Sequence, residues 1–429
     1  LKFLLISKCG EGAGLLSKIK DEGNDVRMYV KEKDYASVYK GIIDQCSLSS
    51  SWIDDDTVII FDSSGMGKIA DQLKKTNKVL GASAFHDKIE YDRAFGLDLM
   101  RSVGIKVPDT LEFGVRDWES AVSFVHLAKN ERFVFKPDGD VPSRLTYLPS
   151  DSEDLIQYMK FVREYYGDKI KSFVLQLFIE GTIVSSEYWC DGTKFIGPPN
   201  QTVEVKKFMN DDLGPSTGCS GNLVWLVDES CEIIQQGIAL VEEAVVKEGY
   251  VGPLDLNAIF NEQGVYGLEW TPRFGLDALP TFMQLFRSDI GKFISDLVNG
   301  TCKRVPVNDY FAGGIRVSIP PYPLEPDKAT EVQKVCPNLG LPIRGIEESD
   351  LKHFYFYEVM KKEDELFHSE GTGVIAVVSD YDDHPAGTLN LPMKIIEELK
   401  IPDKQYRTDL QEVLPKMYDE IKEREQCLV

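Results

Sequence analysis

The chain has 429 residues, 43% of them apolar and 28% charged, and carries a formal net charge of −22. That is enough material for two to four domains with sizeable cores. Such an acidic balance excludes a nucleic-acid backbone or an anionic membrane surface as partner, since both need a cationic face. It leaves room for a nucleotide, for which a few local cations suffice.

The first part of the chain alternates strand and helix. KFLLI (2–6) is a continuous apolar run, as expected of a buried parallel strand. The turn SKCGEGAG (7–14) follows, then a helix over 15–21 and a second strand, DVRMYV (25–30). DDDTVIIFD (54–62) is a third strand, ending in SSGMG (63–67) and a helix near 68–75, and KVLGAS (78–83) is a fourth. The pattern predicts a small doubly wound unit of the Rossmann type.

Residues 85–107 predict one helix ending before Pro108. FVFKPDG (133–139) is a strand, DLIQYMKFVREYYG (154–167) an amphipathic helix and SFVLQLFIEG (172–181) another strand. Residues 183–209 read as two or three antiparallel strands around the hairpin CDGTKF (190–195). IIQQGIALVEEAVVKEG (233–249) predicts a helix, with apolar positions at 233, 234, 238, 241, 245 and 246. PLDLNAIFNEQGVYGLEWTP (253–272) predicts a β-hairpin turning at 262–264. GIRVSI, HFYFYEV and TGVIAVVSD supply later strands, and a last helix is expected from Pro415, a favourable first helical position, to Glu425.

The 8 cysteines form no CxxC pair. They argue against a zinc site and read as buried reduced thiols of a cytoplasmic protein. The opening apolar run is one strand long, so no signal peptide is expected, and no run approaches the roughly 20 residues of a membrane span.

Several segments can carry chemistry. Lys136 ends a strongly apolar strand, where a lysine meets a phosphate as a point charge or sits solvated at a turn. VLQLFIEG (174–181) can offer backbone groups to an adenine edge, or be a plain core strand. Asp255 and Glu269 lie on the two arms of the hairpin. Antiparallel arms bring facing residues within about 5 Å, and two carboxylates at that distance call for a cation, Mg²⁺ being the natural one. Asn257 shares a face with Asp255 and can add a carbonyl ligand; the alternative is that these acids point at water. LEWTPRFG (268–275) sets Glu269 and Arg273 at one strand end, as a metal–triphosphate site requires. GPSTG (214–218) has the composition of an anion nest and equally of a surface loop. SKCGEGAG and SSGMG can be phosphate-binding turns or merely tight ones. The histidines show no triad-like spacing to a Ser or Cys, which speaks against a hydrolase.

The order of IEYDRAF, FVFKPDG, FVLQLFIEG, GPSTG, YVGPLDLNAIF and LEWTPRFG resembles the ATP-grasp superfamily, and within it the phosphoribosylamine–glycine ligases. The resemblance implies a mixed α/β and α+β architecture: an ATP-grasp fold with an N-terminal Rossmann-like domain (1–83), an ATP-grasp domain (84–301, with a lid at about 108–180) and a small C-terminal α+β domain (302–429). It implies ATP and Mg²⁺ as cofactors, and ligation of a small carboxylate to a small amine through an acyl-phosphate in purine biosynthesis, by a monomer or homodimer. Carried over by position, Arg93 and Lys136 fall on the nucleotide's phosphates and Gln176, Leu177, Phe178 and Ile179 on the adenine. Glu187 can stand in for a family Glu that is Ile183 here. Glu269 falls on the metal, with Asp255 or Asn257 covering for Thr271, which replaces a family Asn. Arg273 faces phosphate or acyl-phosphate, and Gly214, Pro215, Ser216, Thr217 and Gly218 line the acceptor and glycine side. The chain departs from the family at the flap, where DVPSRL (140–145) offers only Arg144 in place of a lysine, and at SKCGEGAG, which lacks the Arg, Glu and His of the phosphoribosyl signature. A ligase with another acceptor, or a non-catalytic nucleotide-binding protein, is the alternative expectation.

Overall fold

The computed structural model describes residues 1–128, 130–139, 145–324, 334 and 337–427. The flap at 140–144, with Arg144, lies outside the described residues.

Strands β1 (Lys2–Ser7), β2 (Asp25–Val30), β3 (Asp44–Gln45), β4 (Val58–Phe61) and β5 (Lys78–Leu80) form a parallel sheet in the order β3-β2-β1-β4-β5. Helices α1 (Ala13–Asp21) and α2 (Gly67–Leu73) connect them. The continuous apolar run of β1 is explained by burial on both faces. Phe3 and Leu5 pack with Ala13, Leu16 and Ile19 on one side, and Leu4 and Ile6 with Met66 and Ala70 on the other.

The single helix expected over 85–107 is two: α3 (Ala84–Tyr91) and α4 (Arg93–Ser102). Asp92 has extended backbone, and its carboxylate accepts the Phe95 amide at 3.0 Å, so it ends one helix and caps the next. The break leaves Glu90 and Arg93 on separate helices.

The lid consists of β6 (Thr110–Gly114), α5 (Trp118–Leu127), β7 (Phe133–Gly139), α6 (Ser152–Tyr166) and β8 (Ile170–Leu177), with sheet order β6-β8-β7. It has its own core, in which Trp118 stacks on Phe173 at 4.3 Å among Phe135, Leu155 and Met159.

The rest is built on one large antiparallel sheet. Its strands include β9 (Thr182–Asp191), β10 (Phe195–Lys207), β11 (Ser216–Leu226), β12 (Val251–Asn261), β13 (Gly264–Thr271) and β14 (Phe311–Ser318). Beyond these come β15 (Pro342–Ile343), β16 (Phe354–Phe356), β17 (Val359–Lys362), β18 (Glu365–His368) and β19 (Val374–Asp382). The order is β13-β12-β9-β10-β11-β14-β19-β16, so the sheet runs without interruption from before residue 302 to well after it, while β15-β18-β17 form a small separate sheet.

Three expectations are corrected. The helix over 233–249 breaks at Gly237, whose backbone (φ −117, ψ −114) is not helical, giving α7 (Glu232–Gln236), a 3₁₀ turn Ile238–Val241 and α8 (Glu242–Lys247). The last helix is Leu410–Cys427, so Pro415 lies inside it. Its start is tied down by buried Arg407, which pairs with Asp409 and, at 2.9 Å, with Asp212. Finally, GPSTG is not all loop: Ser216, Thr217 and Gly218 begin β11, and only Gly214 (φ +75) and Pro215 precede it.

Candidate active site

One face of the large sheet is polar because alternate residues of its strands are polar. Ser185 and Glu187 on β9, Thr202, Glu204 and Lys206 on β10, Asp255 and Asn257 on β12, and Glu269 and Thr271 on β13 all line one cavity of about 610 Å³. The intervening Val203, Val205, Leu254, Leu256 and Trp270 are buried in the core beneath. The remaining walls come from the turn after β1 (Cys9, Gly10, Glu11), from Arg273 to Asp277, and from Arg316, Tyr357 and Glu358 in the C-terminal part.

The register across β12 and β13 differs from the expected one. Asn257, not Asp255, is opposite Glu269; Asp255 is opposite Thr271 on one side and Glu187 on the other. A bulge causes this. Ala258 pairs with Gly267 and Asn257 with Glu269, leaving Leu268 as the extra residue, and this swings Glu269 onto the cavity face. The strand is pinned there by Trp270, whose indole N–H donates to the Gly96 carbonyl at 3.1 Å. A Cβ on Gly96 would lie 2.5 Å from the Ile89 carbonyl oxygen, so only glycine lets α4 pack this closely against the end of α3.

The charges around Glu269 are ordered by sign. Burial works against its ionisation, but Lys206, Lys136, Arg93 and Arg273 outweigh burial and hold its carboxyl below the usual range. Asp255 goes the other way: burial first, then Glu204, push it up to about 8, and Glu187 is pushed well up by burial and by Asp255. Lys136 stands on β7 with its ammonium donating to the side-chain oxygen Oε1 of Gln176 at 2.6 Å. Burial, with Arg93 adding to it, lowers its pKa to about 8. Arg273 is held by Glu90 at 3.0 Å and donates to the Phe274 carbonyl at 3.0 Å.

The structure therefore brings Glu187, Asp255, Asn257, Glu269, Arg273, Ser216, Thr217 and Gly218 to one cavity, with the charges of Arg93 and Lys136 acting on it from beside it. Gly214 and Pro215 do not line it. Neither do Gln176, Leu177, Phe178 and Ile179, which sit at the end of β8. There the Leu177 and Phe178 amides are spent on the Asp109 and Arg132 carbonyls at 2.7 and 2.8 Å. Ile183, in the position of the missing acid, is 45% exposed, whereas Glu187 reaches the cavity. The sequence reading missed Lys206 and Glu204, 3.6 Å apart. The alternation Val203-Glu204-Val205-Lys206 carried their signal. It also missed Glu11 and the Arg316–Asp277 pair, which no local pattern marks.

The arrangement has relatives. Residues 91–277 match the family described as phosphoribosylglycinamide synthetase, ATP-grasp (A) domain. That stretch has the ATP-grasp fold. The fold agrees: a crystal structure of phosphoribosylamine–glycine ligase from Thermotoga maritima matches with a TM-score of 0.70 at 16% identity, covering 95% of this chain and all of that one (100%). The biotin carboxylase domain of the 2-oxoglutarate carboxylase of Hydrogenobacter thermophilus, solved with MgADP and bicarbonate, matches with a TM-score of 0.63 at 12% identity, covering 99% and 98%. In sequence, the chain is 23% identical over 398 residues to a phosphoribosylamine–glycine ligase of Streptococcus suis, covering 89% of this chain and 85% of that protein. No helix among the described residues is long and apolar enough to cross a membrane.

Proposed function

We propose that the protein is an ATP-dependent carboxylate–amine ligase of the phosphoribosylamine–glycine ligase kind. The observation that carries this reading is Glu269, held ionised at the cavity wall by four cations, three of them on different elements and the fourth, Arg273, just past the end of β13. Such a grouping matches a triphosphate and its metal, and it matches an acyl-phosphate formed next to them.

The donor chemistry fits Mg²⁺. The candidate ligands are all oxygens, from Glu269, Asn257 and Asp255. The raised Asp255 and Glu187 mark a place where burial and neighbouring acids disfavour negative charge, a burden that a cation bound there would relieve. No group of three acidic, His or Cys side chains among the described residues is drawn together into a metal cage. Mg²⁺ does not need one, because it takes one or two carboxylates and completes its shell with phosphates and water. When bound it neutralises phosphate charge. Asn257, directly across from Glu269, is the residue that covers for the missing amide at Thr271.

The chain's own groups would then divide the work. Lys136 and Arg93 would hold the phosphates from the lid side, and Ile179, whose amide has no hydrogen-bond partner among the described residues, would donate to the adenine. Lys206 and Arg273 would balance the charge that develops as the γ-phosphoryl group passes to the carboxylate. The amine then displaces phosphate, and no protein nucleophile is required. Ser216, Thr217 and Gly218 edge the part of the cavity where the carboxylate and amine would meet.

The test is ADP release from MgATP with glycine and hydroxylamine, which traps an acyl-phosphate as a hydroxamate. ADP and hydroxamate forming together are the expected result. Tight ATP binding with no ADP release for any carboxylate in a broad panel would leave a non-catalytic nucleotide-binding protein instead.

A further inference from the structure

The tip of the β10–β11 hairpin, 208–215, lies between two pieces of the cavity wall. Lys206 precedes it on β10, and Ser216, Thr217 and Gly218 follow it on β11. The ladder between the strands does not fix these residues. Val205 pairs with Gly221 and the next pair is Lys207 with Ser216, so Lys206 alone stands opposite four residues, 217–220. The Thr217 hydroxyl donates to the Lys206 carbonyl at 2.8 Å across this gap. The tip itself is strained. Asp211 (φ +57) and Asp212 (φ +53) are consecutive residues with left-handed backbone, which residues other than glycine adopt at a cost.

The grip on this tip comes from the far end of the chain. Arg407 is 1% exposed and outside the cavity lining. Its Nη1 donates to the Lys207 carbonyl at 3.1 Å and to Asp212 at 2.9 Å, while Asp409 takes its Nε and Nη2. Asp409 in turn accepts the Asp211 amide at 3.1 Å. Asn210 and Thr408 exchange two bonds, at 2.7 and 3.1 Å. Both left-handed residues are thus held, one by its amide and one by its carboxylate. The last helix begins at Leu410, and it packs on β11 where the ladder resumes: a Cβ on Gly221 would lie 2.4 Å from Leu410 Cδ1. One short segment, 407–410, therefore brackets the interrupted stretch from both sides. Toward the cavity, Phe208 meets the ring of Tyr322, a lining residue, edge-on at 5.7 Å.

We propose that Arg407 is a positioning residue of the active site. From outside the cavity it fixes the hairpin tip, and through the tip it sets where Lys206, Ser216, Thr217 and Gly218 stand at the wall. This rests on the ligase reading above and adds to it a residue that touches no substrate. A guanidinium suits the task because one rigid plane meets a carbonyl and two carboxylates at once. Misplacement of a positioned wall by about 1 Å is enough to lower turnover by a large factor.

The experiment uses Arg407→Lys in the full-length protein, which keeps the buried charge and loses the planar fork. Asp212→Ala serves as a second variant, because that side chain is 69% exposed and its loss leaves Arg407 paired with Asp409. Amide hydrogen exchange over 207–218 and the KM values for ATP, glycine and phosphoribosylamine are measured for both, with hydroxylamine trapping on the parent. Arg407→Lys is expected to speed exchange over 207–218 at least tenfold and to leave the lid unchanged. It should raise the KM for glycine or for phosphoribosylamine at least tenfold while the KM for ATP stays within about twofold, because Lys136 and Arg93 stand on other elements. Asp212→Ala should do the same to a smaller extent. Unchanged exchange over 207–218 overturns the inference and leaves the ligase reading standing. So does faster exchange with unchanged kinetics, and so does a fall in kcat with every KM unchanged, which is what a loss of folded protein gives. No hydroxamate from the parent with any carboxylate overturns the ligase reading, and this inference with it.

Discussion

Glu269 and Asn257 face each other across β12 and β13, and they do so because Leu268 bulges out of the ladder. The same bulge puts Trp270 into the core and Glu269 among Lys206, Lys136, Arg93 and Arg273. Removing the Glu269 charge without changing its shape should therefore strip the site of its central anion while leaving the packing alone. Glu269→Gln is expected to lower kcat for ADP release by on the order of a hundredfold or more, with an unchanged circular dichroism spectrum and a lower melting temperature, because the ionised carboxylate stabilises the fold among its cations. Activity close to that of the parent would remove Glu269 from the metal assignment.

Lys136 gives a pH signature. Its pKa is lowered to about 8 by burial and by Arg93 and Lys206, with Glu269 opposing. The lysine is cationic below that value and neutral above it, and phosphate binding needs the cation. At saturating Mg²⁺, kcat/KM for ATP should fall as the pH rises through about 8, since this ratio reports the free enzyme. Lys136→Arg stays charged throughout and should abolish the fall, even if it binds ATP less well. A pH profile identical in parent and variant would show that another group titrates.

Arg273 is aimed by a carboxylate rather than left free. Glu90 takes its Nε and Nη2, both at 3.0 Å. A lysine cannot reproduce this two-point hold. Arg273→Lys is expected to lower kcat/KM by up to about a hundredfold through misplacement alone. Glu90→Gln should produce a smaller loss of the same kind. Steady-state kinetics on the two variants checks the order.

Gly96 is where the helix pair meets the strand that carries Glu269. Gly96→Ala puts a methyl 2.5 Å from the Ile89 carbonyl and 3.4 Å from Trp270. Overpacking of this kind costs about 1–3 kcal/mol, so the urea midpoint should drop and turnover should fall with it. An unaltered midpoint would show that the helices simply move apart.

Much of the fold was legible from periodicity. The strand β1 is a continuous apolar run, and the hairpin of β12 and β13 turns where Glu262-Gln-Gly264 predicted. What was not legible depends on tertiary geometry. The split at Asp92 is a side-chain cap that looks like any surface acid. The break at Gly237 interrupts a faultless apolar period. The bulge at Leu268 changes which acid faces which, and counting back from the turn cannot reveal it. In the site, residues that alternate along a strand were visible or could have been. Glu11 and the Arg316–Asp277 pair come together only because distant segments fold onto one cavity.

The unbroken sheet from β13 to β16 has a last consequence. The strand β14 covers the side of β11 that does not face β10. A chain cut before β14 would therefore expose the full ladder of β11 as a bare edge, together with the apolar residues that pack beneath it. The C-terminal third is thus no detachable accessory. Shortened versions are expected to come out of expression as aggregates, whereas trimming within the lid, which keeps a core of its own, should leave the remainder soluble and able to refold.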